Sequence, residues 1–144
     1  MTDLTLDAAR RIVATACARA AALKLKPLAI AVLDARGVLK LFEAQDGTAG
    51  LVRPDIARGK AYGALALGQG SRALNKRMQE SPHLVTAMMH ATGGSIVPVA
   101  GGVLARDAGG RIVGAVGVSG DSSDNDELVA AAGIEAAGLV ADGG

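Results

Sequence analysis

Apolar residues recur every three or four positions across LTLDAARRIVATACARAAALKL, where Leu6, Ala9, Ile12, Val13, Ala16, Ala20 and Leu23 share one face. That period predicts an amphipathic helix of about five turns, with Thr5 or Asp7 capping its start. The pattern then changes. PLAIAVLDARGVLKLFEAQDG holds two apolar runs around Asp34-Ala35-Arg36-Gly37, a turn with glycine where a positive φ is needed, and so predicts an antiparallel hairpin. Pro54 suits the first turn of a second helix, where its missing N–H costs nothing. DIARGKAYGALALGQGSRALNKRM continues that helix with a break near Gly68 and Gly70. Ser81-Pro82 opens a short helix, HLVTAMMHA, that stops at Gly93-Gly94. SIVPVAGGVLARDAGG and RIVGAVGVSG predict two or three strands with a turn from Asp107 to Gly110, and DNDELVAAAGIEAAGLVA predicts a closing helix. Strands grouped between runs of helices indicate an α+β domain with an antiparallel sheet, since parallel neighbours would each need a helical crossover. Residues 1–144 are expected to form one domain.

The segment GGRIVGAVGVSGDSSDNDELVAAAG joins the last predicted strand to the last predicted helix. Simple alternation puts Ile112, Gly114, Val116 and Val118 on one face, and Val113, Ala115, Gly117 and Ser119 on the other. The second face is small and ends in a hydroxyl, so a helix backbone or a ligand must come close to it. A strand-to-helix junction rich in glycine can cradle phosphate. Here Asp121, Asp124, Asp126 and Glu127 crowd the junction and would repel it, and Asp124 with Glu127 has the spacing of a capping box.

Composition narrows the partners. Phe42 and Tyr62 are the only aromatic residues, so the core must be small and aliphatic. The formal net charge is +1, with no basic run and no aromatic residues interleaved with cations, which argues against nucleic acid. Cys17 is the only cysteine, which excludes an internal disulfide framework and the usual zinc ligand sets, and it is expected to act as a small buried apolar residue. MTDLTLDAARRIV has neither the pattern of an export signal nor a membrane-spanning run, so a cytoplasmic protein without membrane contact is expected.

Several familiar spacings fail on their context. GQGSRA matches a dinucleotide fingerprint only in its letters, because it follows a helix where the fingerprint requires a strand. ARGKAYG has Ala61 where a P-loop needs a hydroxyl. His83 and His90 lie seven helical residues apart, about 10 Å, which is too far to share one metal ion. Either could serve as a general base or an axial ligand. Within IARGKAYGALA, Lys60 shares a stripe with Ile56, Gly63 and Ala64. A lysine among such residues must pair with a carboxylate, snorkel outward, or point into a polar pocket as an anchor for an anion.

Taken in order, IAVLDARGVLKLFEAQDG, IARGKAYGALA, GGSIVPVAGG and GRIVGAVGVSG with DELVAAAG resemble the GlcG/HbpS-like family, also called haem-binding or haem-degrading. That family includes the carboxy-terminal domain of the PduO-type cobalamin adenosyltransferases, and the resemblance covers nearly the whole chain. It implies a profilin-like fold, with a five-stranded antiparallel sheet flanked by helices, assembled into homo-oligomers. It also implies binding of haem or a related tetrapyrrole, with His83 or His90 as the available axial ligand. Lys60 falls on the family's helical Lys-Ala pair, and Gly93-Gly94, Gly114-Ala115 and Ser119-Gly120 fall on its glycine motifs. The first functional reading is therefore an oligomeric small-ligand-binding protein whose ligand contacts are Lys60, Arg53, Arg58, Gly93, Gly94 and Ser119. The second is a catabolic enzyme acting on a small carboxylate by proton transfer, isomerisation or hydrolysis. Lys60, Arg53 or Arg58 would then hold the carboxylate, while His83, His90 or Asp126 moved the proton. A non-catalytic accessory protein is the third.

Overall fold

The computed structural model describes residues 3–144. In chain order these form α1 (Leu6–Ala22), β1 (Ala29–Asp34), β2 (Leu39–Ala44), α2 (Arg53–Leu67), α3 (Ser71–Glu80), α4 (Pro82–Ala91), β3 (Gly102–Arg106), β4 (Ile112–Ser119), α5 (Ser123–Ala136) and β5 (Val140–Asp142). The sheet has the order β2-β1-β4-β3-β5, and every neighbouring pair is antiparallel. This is the α+β architecture implied by the resemblance, with helices on both faces of the sheet.

Local chemistry explains most of the boundaries. Thr5 caps α1 by accepting the Ala8 N–H at 3.1 Å. In the β1–β2 turn, Asp34 accepts the N–H groups of Arg36 and Val38 while Gly37 takes φ 81°. α2 ends where Gly68 turns left-handed, so the expected break separates α2 from α3. β1 is buried along its whole length because both its faces are covered. One face of the sheet packs Ile30, Val32, Val103, Val116 and Val118 against α1 and α5. The other packs Leu33, Leu104 and Ala115 against Ala61 and Ala64 of α2.

Four sequence expectations need correction. The closing helix stops at Ala136, because Gly138 at φ 79° turns the chain, and Val140–Asp142 then pairs with β3 as an edge strand. Residues 95–101 form no strand, since Pro98 lacks an N–H and Gly101 holds φ 121°. Face alternation along β4 fails at its start. Ala105 pairs with Gly114 but Arg106 pairs with Ile112, so Val113 is an extra residue; it packs under α1 while Ile112 turns to the α2 side. Finally, α5 is capped by Ser122, which accepts the Asn125 N–H at 3.1 Å. Asp124 and Glu127 instead grip Arg72 of α3.

Candidate functional site

α2 lies across β4, β1 and β3, and glycines in the sheet allow it to come close. A Cβ on Gly117 would fall 1.8 Å from the Ala57 carbonyl oxygen, and one on Gly102 would fall 2.2 Å from that of Lys60. Gly117 is thus the close-approach residue that its strand position suggested, and what approaches is the backbone of α2.

The same approach takes Lys60 into the interior, where it is 2% exposed. Its Nζ donates to the Val118 carbonyl at 2.8 Å and to Asp126 Oδ2 at 3.1 Å, while Asp126 Oδ1 accepts the Asp121 N–H at 3.0 Å. Burial pushes the Lys60 ammonium below the ordinary lysine value, and the Asp126 carboxylate pulls it part of the way back. Of the three arrangements open to this lysine, the structure has the carboxylate pair. The ion pair ties α2 to α5 at the end of β4. Beside it, Arg53 Nη1 donates to Ser119 Oγ at 3.2 Å, and Ser119 is fully buried.

Three other predicted site residues meet elsewhere. Arg58, Gly93 and Gly94, together with Asp55, Gly59, Tyr62 and Ser95, surround an open cavity of about 460 Å³ between α2 and the loop after α4. The fit between these walls is tight at their base: the Val97 N–H donates to the Gly59 carbonyl at 3.1 Å, and a Cβ on Gly59 would strike Val97. Arg58 and Asp55 are exposed, and neither has an ion-pair partner among the described residues. His83 and His90 are exposed on α4 and do not line this cavity. Asp126 is held in its ion pair, away from the cavity lining.

Asp55, Gly59, Tyr62 and Ser95 are the cavity residues that sequence reasoning did not assign to a site. For Tyr62 a signal existed. Asp55, Arg58, Gly59 and Tyr62 stand at i, i+3, i+4 and i+7, a single stripe opposite the apolar stripe that packs on the sheet.

Cys17 is half-buried and donates its thiol hydrogen to Glu43 at 3.1 Å. Burial, reinforced by Glu43, pushes the thiol up to about 11, which keeps it protonated at neutral pH. Among the described residues no group of three or more His, Cys, Asp or Glu side chains could hold a metal ion, and no helix is long and apolar enough to cross a membrane.

An antiparallel sheet covered on both faces by helices, with one stripe of α2 left open over a polar cavity, defines a small α+β domain with a preformed pocket. The chain belongs to the HbpS-like family, described as haem-degrading, whose model matches residues 4–135. A curated relative from Citrobacter freundii, an uncharacterised 15.0 kDa protein encoded between dhaT and dhaS, is 31% identical over 127 residues, covering 88% of this chain and 87% of that protein. A double mutant of Streptomyces reticuli HbpS is 30% identical with a TM-score of 0.78, over 94% of this chain and 87% of that one. A PduOC–haem complex shares the fold with a TM-score of 0.85 at 23% identity, over 96% of this chain and 97% of that one.

Proposed function

We propose that this protein is an oligomeric, cytoplasmic binder of haem or a related tetrapyrrole, and that the ligand lies in the cavity beside α2. The observation that carries the reading is Arg58: an exposed guanidinium on a 460 Å³ cavity, without a carboxylate partner among the described residues, in a chain of a haem-associated family. The cavity residues fit such a ligand. Arg58 suits a propionate, and Gly93 and Gly94, where an added Cβ would meet nothing within 4 Å, give a wall without side chains along which a flat ring can lie. When bound, haem supplies redox-active iron, and the protein supplies position and charge. In this reading Arg58, Gly93 and Gly94 face the ligand, while Lys60, Arg53 and Ser119 form the support beneath them.

Two further observations bear on the alternatives. Asp126, the acid assigned to proton transfer in the enzyme reading, is neutralised by Lys60 and 1% exposed, which favours binding over catalysis through that group. Assembly is supported by exposed apolar residues, with Leu51 98% exposed and Leu84 of the uncharged helix α4 46% exposed. The test is a titration with haemin followed by absorbance. A saturable Soret band is expected, and Arg58→Ala should weaken binding about tenfold or more, as for a charge-assisted hydrogen bond. Absence of saturable binding overturns the reading.

A further inference from the structure

The stripe of α2 that faces away from the sheet runs past the first cavity. Tyr62 also lines a second one, of about 210 Å³, together with Ala35, Arg36, Gly37, Leu65 and Ala66. Tyr62 is the residue common to both linings. Between Asp55 and Ala66 the helix advances eleven residues, about 16 Å, so the two cavities follow one another along a single helix, a trough in two parts with the tyrosine between them. The Tyr62 ring packs partly against the buried cluster of Leu33, Ala61 and Ala64, while its hydroxyl, without a hydrogen-bond partner among the described residues and not buried, is open to solvent.

The ends of the trough differ in polarity. At one end Arg58 and Asp55 both lack an ion-pair partner among the described residues. At the other, Arg36 is already bound to Asp34 at 3.3 Å and to Asp3 at 3.3 Å, beside Leu65 and Ala66. An amphipathic planar ligand can set its carboxylate edge on Arg58 and its apolar edge towards Leu65 and Ala66. No histidine, methionine or cysteine lines either opening, and tyrosine is an established protein ligand of haem iron.

Resting on the haem reading above, the geometry points to Tyr62 as the residue that ligates the iron, in place of His83 or His90. The test compares ferric haem and metal-free protoporphyrin binding in the unsubstituted protein, Tyr62→Phe, Tyr62→His and the His83→Ala/His90→Ala double variant. Tyr62→Phe should lose the phenolate-to-iron charge-transfer band and bind ferric haem at least tenfold more weakly, while its affinity for metal-free protoporphyrin and its unfolding curve stay unchanged. Tyr62→His should regain ferric haem with the spectrum of a nitrogen ligand, and the double histidine variant should match the unsubstituted protein. A spectrum unmoved by Tyr62→Phe overturns the assignment alone, as does loss of the band in the double histidine variant. An equal loss of metal-free protoporphyrin binding in Tyr62→Phe makes Tyr62 a wall and not a ligand. No saturable band in the unsubstituted protein overturns the assignment together with the reading it rests on.

Discussion

Replacing Gly117 by alanine is the sharpest test of how α2 is seated. The added Cβ would lie 1.8 Å from the Ala57 carbonyl oxygen and 2.9 Å from both the Ala57 carbonyl carbon and the Ala61 nitrogen, whereas real contacts of this kind stay beyond 3.0 Å. All three atoms are helix backbone, so no side chain can rotate away. α2 must rise from the sheet by about an ångström, a gap that already forfeits roughly a quarter to a half of each dispersion contact it opens. Ala57, Ala61 and Ala64, each 0% exposed, lose packing together. Overpacking a core typically costs about 1 to 3 kcal/mol, and the rigidity of the opposing atoms places Gly117→Ala near about 3 kcal/mol. Equilibrium urea unfolding measures the loss, with Gly109→Ala as the control. At Gly109 the nearest atom to a Cβ is 3.4 Å away, and the change should stay within about 0.5 kcal/mol. Equal stabilities for the two variants would refute the close-approach account. Because α2 also carries Arg58 and Tyr62, any Gly117→Ala protein that remains folded should bind ligand less tightly.

Three further outcomes follow from the buried and hydrogen-bonded groups. Lys60→Met leaves the Asp126 carboxylate buried without its cation and should cost about 3 to 5 kcal/mol. Adding Asp126→Leu should recover much of that loss, and purely additive losses in the double variant would exclude a coupled pair. Cys17, with its thiol pushed up to about 11, should react slowly with a disulfide reagent at about pH 8 and faster in Glu43→Gln; a rate equal to that of a free small thiol would contradict this. Hydrogen bonds from Asn125 and from the Lys26 and Ser122 N–H groups hold Asp121 at about 2, against an ordinary 3.8. Its folded value is depressed, so its contribution is present above 3.8 and is lost as pH falls towards about 2. Asp121→Asn should flatten the acid-side slope of stability between about pH 4 and pH 2, and an unchanged slope would show that those hydrogen bonds do not favour the carboxylate.

Much of this was legible because periodicity reports which face is buried. The three-and-four spacing from Ala9 to Ala20 and the apolar run AIAVLD mark elements that the structure contains, although Leu6 and Leu23, at the two ends of the predicted apolar face, are 38% and 43% exposed. β5 was not legible by itself. Three residues cannot display a period, and Val140 becomes a strand only because β3 offers a free edge. The bulge at Val113 was hidden for a related reason: an extra residue in one strand is defined by its partner, and the partner's register is not written in either sequence run. The site divided in the same way. Arg58, Gly93 and Gly94 do reach one cavity, but Lys60, the most distinctive polar residue of its helix, is spent on Asp126, sixty-six positions away. No local pattern could have chosen between an ion pair and an anion anchor for it.

The two roles of α2 depend on each other. Its inner stripe consists of Ala57, Lys60, Ala61 and Ala64, and its outer stripe of Asp55, Arg58, Tyr62 and Leu65. A helix that packs through larger side chains would stand further from the sheet. The loop from Ser95 to Val97 could not then reach it, and the contact between Gly59 and Val97 that closes the base of the cavity would be lost. Close seating through glycine and alanine has a second effect: the larger and polar residues of the helix stand on its outer side, where Asp55 and Arg58 are exposed and Tyr62 and Leu65 are only partly buried. The buried Lys60–Asp126 pair fixes the rotation of α2 about its own axis, because its Nζ must meet both Asp126 and the Val118 carbonyl. A rotation large enough to break those bonds would carry Arg58 and Tyr62 away from Gly94. The small residues thus set the depth of the trough, and the buried ion pair sets the direction in which its side chains point.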